Sequence, residues 1–284
     1  MFFALTRTLS ILGLLVLPPT PDADLAGTHE TFLEAIGSVF SPHGFEPPAP
    51  SLDVFAAIQR HIAHTGLSYV AEHDERIVGF GSSWTRGDHW FLASLFVRPE
   101  AQGSGVGPAL LDAVWGNASH RRTMTDSIQP VSNAVYGRRG LIPVTPILTF
   151  TGQPRIDAPA LEEAPADLTR LDAAAYGFDR AVDHRLWERI ARRTTLGDAY
   201  SYAFPGGDIG PVAGANPHAA ARALAAELAR AREPVRVRIP GSARGLVEVA
   251  LRAGLRLGNV PGFLLLSRGV EAPTALAPSG YLLY

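Results

Sequence analysis

The sequence predicts an α/β (α+β) fold of two successive blocks, each a mixed, mostly antiparallel sheet flanked by helices. Three observations carry this. The chain has 284 residues, enough for two domains when a domain takes about 100–200 residues. Beyond residue 65 the apolar spacing changes from helical to the short β-branched and aromatic runs of strands. The order loop, helix, strand, helix, strand then occurs twice along the chain.

The elements follow in order. Residues 12–17 are apolar and read as a buried first strand, turned by the Pro18–Asp22 stretch into a helix near 24–40. With Arg7 ahead of it, the same run also reads as the charged and apolar parts of a signal peptide. No small-x-small cleavage site follows directly, so the strand is the preferred reading and residues 1–10 a loose extension. A Pro-rich stretch, 41–50, separates a second helix at 52–65. Runs at 67–72, 77–85 and 90–97, broken at Asp74-Glu75-Arg76 and Arg86-Gly87-Asp88, predict an antiparallel meander. A helix at 107–115, a strand at 121–127, a helix at 130–139 and a strand at 146–151 complete a first domain, 1–152. Residues 153–165 read as a linker, 166–270 as a second domain and 271–284 as a tail.

Composition excludes several chemistries. Cysteine is absent, which removes disulfides, catalytic thiols and thiolate metal sites. Lysine is absent too, since all 25 basic residues are Arg, which removes a Walker loop and a Schiff base. Residues 1–150 hold 9 Arg and 13 acids, residues 151–284 hold 16 and 14, so the halves carry −4 and +2. Neither half presents a strong basic excess, and no nucleic-acid partner is expected. His61 and His64 stand at i,i+3 on one helix without a third ligand, and no metal is expected.

The informative segment is Leu95-Phe96-Val97-Arg98-Pro99-Glu100-Ala101-Gln102-Gly103-Ser104-Gly105-Val106-Gly107. It joins the last meander strand to a helix through three glycines in five positions. Glycines let successive N–H groups converge, and a helix N-terminus adds unpaired donors and positive dipole. A phosphate suits such a place. Pro108 stands where a dinucleotide-binding fingerprint needs its third Gly, which excludes that reading. What remains is Gln102-x-x-Gly105-x-Gly107, by itself either an anion cradle or an ordinary Gly-rich connection.

Here residues 12–150 resemble the GNAT superfamily of acyl-CoA-dependent N-acetyltransferases. The resemblance lies in Pro18-x-Thr20 with Asp24-Leu25, Val78-Gly79-Phe80, Leu95 to Pro99 with Gln102-x-x-Gly105-x-Gly107, and Tyr136-x-x-x-Gly140-Leu141, in that order. It implies that Gln102, Gly103, Ser104, Gly105, Val106 and Gly107 hold the CoA diphosphate and that the backbone of Leu95, Phe96 and Val97 pairs with the pantetheine arm. It further implies that the strands at 90–97 and 121–127 splay to admit the thioester. Tyr136 matches the family's general acid. By residue type alone, a helix Tyr packed on a sheet is the preferred reading, and the resemblance reverses that preference. A CoA-contacting Asn in many relatives falls here on Gln129, with Asn133 one helical turn further, so either amide is a candidate. Arg138 and Arg139 are candidates for a CoA phosphate or for plain exposed helix-end cations.

The acceptor side is harder to read. Phe45, Trp84 and Trp90 are candidate walls of the substrate cleft, and Glu34, His43, Glu72, His89 and Asp126 are carboxylates and imidazoles on elements that could border it. The second block looks like a second, degenerate GNAT-type domain, with strands at 199–204, 210–212, 234–239 and 262–267 and helices at 217–232 and 243–253. Its loop, Ala213-Gly214-Ala215-Asn216-Pro217, lacks the glycine pattern, and Ala250 stands four before Gly254 where a Tyr would be. No cofactor binding is expected there. The expected protein is a cytoplasmic enzyme passing acetyl from acetyl-CoA to a primary amine on a small molecule or peptide, by direct attack in a ternary complex, with no membrane partner. The alternative is a non-catalytic acyl-CoA-binding regulator or scaffold. The transferase reading requires that the amides between Val97 and Pro108 be open to a ligand.

Overall fold

The computed structural model describes residues 15–17, 22–157 and 163–284. The expected strand at 12–17 is described only over its last three residues, and part of the expected linker, 158–162, lies outside the described residues. Two compact units divide the chain: residues 1–85 with 90–119, and residues 86–89 with 120–284.

In the first unit, β1 (Leu15–Leu17), α1 (Leu25–Phe40) and α2 (Leu52–Thr65) precede β2 (Gly66–His73), β3 (Arg76–Arg86) and β4 (His89–Val97), and α3 (Val106–Val114) follows. The strand order is β1-β2-β3-β4, with β1 and β3 antiparallel to β2. Ser51 caps α2 by accepting from the Val54 N–H at 3.4 Å. Asp74 and Glu75 both have positive φ, 48° and 59°, as a two-residue hairpin turn twisted to suit its strands requires. Ala71, Val78, Val106, Ala109 and Leu110 form a core between the sheet and α3. Gly79 makes that approach possible. A Cβ there would stand 2.9 Å from Val106 Cγ1, 3.0 Å from Leu110 Cδ1 and 3.1 Å from the Phe96 carbonyl oxygen.

The second unit contains β5 (His120–Asp126), α4 (Pro130–Arg138), β6 (Ile142–Gly152), α5 (Leu168–Tyr176), α6 (Ala181–Ile190), β7 (Arg192–Thr195), β8 (Ala199–Ala203) and β9 (Asp208–Gly214). After these come α7 (Pro217–Arg230), β10 (Val235–Pro240), α8 (Arg244–Arg252), β11 (Arg256–Leu257), β12 (Gly262–Leu266) and β13 (Leu276–Ala277). Its strand order is β5-β12-β6-β10-β9-β8-β7, with β11 also on β6 and β13 on β9. The core packs α7 and α8 on the sheet through Ala219, Ala220, Ala223 and Leu224 against Val212, Val237 and Ile239. Alanines let α7 lie close: a Cβ on Gly214 would meet the Ala220 nitrogen at 2.4 Å.

Two features differ from the sequence expectation. First, β5 and β6 are not neighbours, because β12 lies between them, antiparallel to both. Leu264 is opposite Met124 on one side and Thr145 on the other. The sheet expected to close within the first block is therefore completed by a strand from the far end of the chain. Second, α5 and α6 occupy a stretch with no expected element. β6 also begins at Ile142 rather than residue 146, running through Pro143 and Pro146, which face Leu265 and Phe263. A bulge between Leu264 and Leu265 accommodates this pairing.

Candidate active site

The loop after β4 is tied down on its N-terminal side and open on the other. Pro99 begins a single 3-10 turn, Pro99–Ala101. Within it the Ala101 N–H donates to the Arg98 carbonyl at 3.0 Å and the Gln102 N–H to the Pro99 carbonyl at 3.2 Å. The Gln102 side chain reaches back and donates to the Val97 carbonyl at 3.0 Å, and the Ser104 hydroxyl donates to the Ala101 carbonyl at 2.6 Å. Beyond this point the donors are unspent. The N–H groups of Gly103, Ser104, Gly105, Val106 and Gly107 find no acceptor among the described residues, and the first bond of α3 runs from the Ala109 N–H to the Gly105 carbonyl. No side chain caps α3.

Gly103 and Gly105 have φ of 80° and 93°, a left-handed backbone that favours glycine. Nothing lies within 4 Å of where a Cβ on either would stand, so the space over the amides is open. Converging N–H groups at a helix N-terminus under open space make an anion cradle. A diphosphate fits this donor set. Leu95, Phe96 and Val97 are half-buried at the end of β4, and Phe96 packs edge-on against Phe32 at 5.0 Å.

The corresponding loop of the second unit is built differently. The Gly214 N–H is taken by the Ala275 carbonyl and the Ala215 N–H by that of Asp198. Asn216 Oδ1 accepts from the Ala219 N–H at 3.0 Å, capping α7 from within. Its donors are consumed by the protein itself.

Tyr136 lies on the last turn of α4, 5 % exposed. Its hydroxyl is hydrogen-bonded to Ser132, one helical turn back, and burial holds its pKa well above that of an ordinary tyrosine. The Tyr136 carbonyl accepts from the N–H groups of Arg139 and Leu141, and Gly140 at φ 80° ends the helix. Gln129 precedes α4, and its carbonyl accepts both the backbone N–H and Nδ2 of Asn133. Asn133 Oδ1 is buried without a hydrogen-bond partner.

The expected cleft walls fall apart into different roles. Trp84 and Trp90 are buried. Trp84 stacks on Phe91 at 5.0 Å, and Trp90 Nε1 donates to the Val114 carbonyl at 2.8 Å. Only Phe45 is partly accessible, stacked on His43. Of the expected acids and bases, Glu34 is ion-paired with Arg98 and Arg76. His89 Nδ1 lies 2.7 Å from Arg122 Nη1. Asp126 is hydrogen-bonded to Tyr281, and burial raises its carboxyl pKa. Residue type alone gave no sign of Tyr281 as the partner of Asp126, because the two stand far apart in the chain.

A model of the acetyltransferase (GNAT) family matches residues 32–140. That segment is similar to the GNAT family. It runs from the middle of α1 to just past the end of α4 and holds both the glycine loop and Tyr136. No curated protein is matched by the sequence. Among solved structures, the chain is similar to a candidate acetyltransferase from Pyrococcus horikoshii, at 16 % identity and a TM-score of 0.74, covering 98 % of each chain. It is also similar to a GCN5-related N-acetyltransferase from Sphaerobacter thermophilus, at 16 % identity and a TM-score of 0.60, covering 94 % of this chain and all of that one. A tandem GNAT protein from the clavulanic acid biosynthesis pathway aligns over 91 % of this chain and 99 % of its own, with 13 % identity and a TM-score of 0.57. The GNAT fold, with its mostly antiparallel sheet flanked by helices, is thus shared along nearly the whole chain.

Proposed function

We propose that the chain is an N-acetyltransferase that moves an acetyl group from acetyl-CoA to a primary amine on a small molecule or peptide, by direct attack in a ternary complex. The observation that carries this is the row of five unspent amides from Gly103 to Gly107 under open space. When bound, acetyl-CoA supplies a thioester whose carbonyl carbon takes the attack of a neutral amine and whose sulfur departs. Gly103, Ser104, Gly105, Val106 and Gly107 hold the diphosphate by their backbone N–H groups. Leu95 to Val97 present main-chain partners to the pantetheine arm, and the buried acceptor Oδ1 of Asn133 suits one of its amide N–H groups. Tyr136 supplies the proton for the departing sulfur from its hydroxyl, and the amine loses one to solvent or a base. Fixing both reactants in one place lowers the barrier without a covalent enzyme intermediate.

In this reading the second half, residues 166–270, is a degenerate GNAT-like domain that binds no CoA. Capping by Asn216 supports this, because a helix N-terminus already satisfied has less to offer an anion. The enzyme works in the cytoplasm without metal or nucleic acid. Calorimetry with CoA, followed by an assay of CoA release across a panel of amines, tests the proposal. Wild type should bind and turn over, Gly105→Glu should bind poorly, and Tyr136→Phe should bind but turn over slowly. Binding without turnover on any amine would leave the non-catalytic acyl-CoA regulator instead.

A further inference from the structure

We propose that Arg98 is a positioning residue for the cofactor loop: its buried guanidinium clamps the end of β4 to α1 and so fixes the direction of the amides from Gly103 to Gly107. The inference rests on the acetyltransferase reading. Arg98 has no exposed surface. Its main chain closes the strand, the N–H donating to the Val78 carbonyl at 2.8 Å, and opens the turn, the carbonyl accepting from Ala101 at 3.0 Å. Its side chain runs the other way. Nε donates to the Ile77 carbonyl at 2.8 Å and to Thr31 Oγ1 at 3.1 Å, and Nη2 to Glu30 Oε2 at 3.3 Å. Nη1 is ion-paired with Glu34. Thr31 is itself held, its hydroxyl oxygen lying 2.8 and 3.0 Å from the Gly27 and Ile77 carbonyls, which share its one proton.

A second arm reaches the same place from outside. Arg76 bridges Glu34 Oε1 at 3.3 Å and Glu100 Oε1 at 3.2 Å, and Glu100 lies in the turn that starts the loop. The loop entry is thus gripped on its buried side by Arg98 and on its exposed side by Arg76, both through Glu34 of α1. A guanidinium taken out of water must keep these partners, because an unpaired buried charge is strongly unfavourable. The position of residue 98 is therefore set by α1 and β3 and not by the loop. Five residues later, at Gly103, the unspent amides begin, oriented before any ligand arrives. Such preorganisation removes an ordering cost from binding. The glycines supply the curvature of the cradle, and Arg98 its bearing on the sheet.

The test compares CoA with pantetheine, which lacks the diphosphate and the nucleotide, by calorimetry on the full chain. Arg98→Met should weaken CoA by about tenfold, the scale of a misplaced binding group, and leave pantetheine unchanged. Arg98→Lys, which keeps the charge facing Glu30 and Glu34 but not the Nε donor, should fall between. Equal losses for both ligands would show a merely structural role and overturn the inference, as would Arg98→Met binding CoA like wild type. If Arg98→Met does not fold, Glu34→Gln serves: selective weakening of CoA supports the clamp, and no change overturns it. Wild type failing to bind CoA at all would sink the acetyltransferase reading, an outcome distinct from wild type binding and Arg98→Met binding equally well.

Discussion

The Gln102 side chain donates to the carbonyl of Val97, closing five residues of chain into a ring just before the open amides. Its amide N–H is spent in the same turn. Gln102 therefore braces the turn that leads into those amides. Gln102→Ala should lower CoA affinity several-fold with little change in kcat, and cost about 1 kcal/mol of stability, one hydrogen bond's worth. Calorimetry and thermal unfolding would check both.

Gly105 has φ of 93°. Gly105→Ala places a Cβ in open space but in a backbone conformation that costs about 1–2 kcal/mol for an L-residue. The expected outcome is a modestly lowered melting temperature with a larger loss of CoA affinity, because the backbone relaxes by turning its amides away. Equal binding by the variant would mean that the amides do not hold the diphosphate.

Tyr136 is buried, and its hydroxyl ionises well above the ordinary tyrosine range. A proton donor with a raised pKa stays protonated as the medium becomes alkaline. The rate should therefore show no falling limb from Tyr136 up to about pH 10, where an ordinary tyrosine would begin to ionise. Tyr136→Phe should reduce kcat by about 10²-fold, in the range of general acid catalysis, with CoA affinity kept. A pH–rate profile on both proteins tests the point.

His89 is held neutral, its pKa lowered to about 4 by burial and then by the Arg122 guanidinium, with a smaller push from His120 and an opposing pull from Asp88. The unfolded chain binds that proton near pH 6.5, so below this pH protons favour the unfolded state. His89 contributes stability that is complete above about pH 6.5 and lost as the pH falls towards 4. His89→Gln should unfold at a temperature that declines less between pH 7 and pH 4.5 than that of wild type.

Leu264 is fully buried in β12 with a neighbouring strand on each side. Leu264→Ala should cost about 2–5 kcal/mol, read by denaturant unfolding of the full chain. A smaller effect would mean that the central strand is not an essential part of that sheet.

The sequence was most legible where a local rule governed the outcome. The helix at 52–65 and the meander were readable because Ser51 caps one and β-branched and aromatic residues mark the other. α5 had a signal too, Asp167 accepting from the Arg170 N–H at its start and Gly177 at φ 83° at its end, hidden in an Ala-rich stretch with weak apolar spacing. The insertion of β12 had none, since partner choice among apolar strands is decided by long-range packing that no local pattern records. At the site, spacing pointed to the glycines, whose positive φ is a local backbone property. It gave no sign that Gln102 bonds the Val97 carbonyl or that Trp84 and Trp90 are buried, because a side chain that serves its neighbours and one that faces outward have the same one-letter code.

The placing of β12 also bears on how the molecule comes into being. A chain made from its N-terminus has β5 and β6 in hand long before the strand that joins them, which is synthesised 110 residues after β6 ends. During that interval two bare strand edges lie side by side with nothing to bridge them, inviting contact with other nascent chains. Assembly must wait for the latecomer, so vulnerability is concentrated in the time before β12 is made.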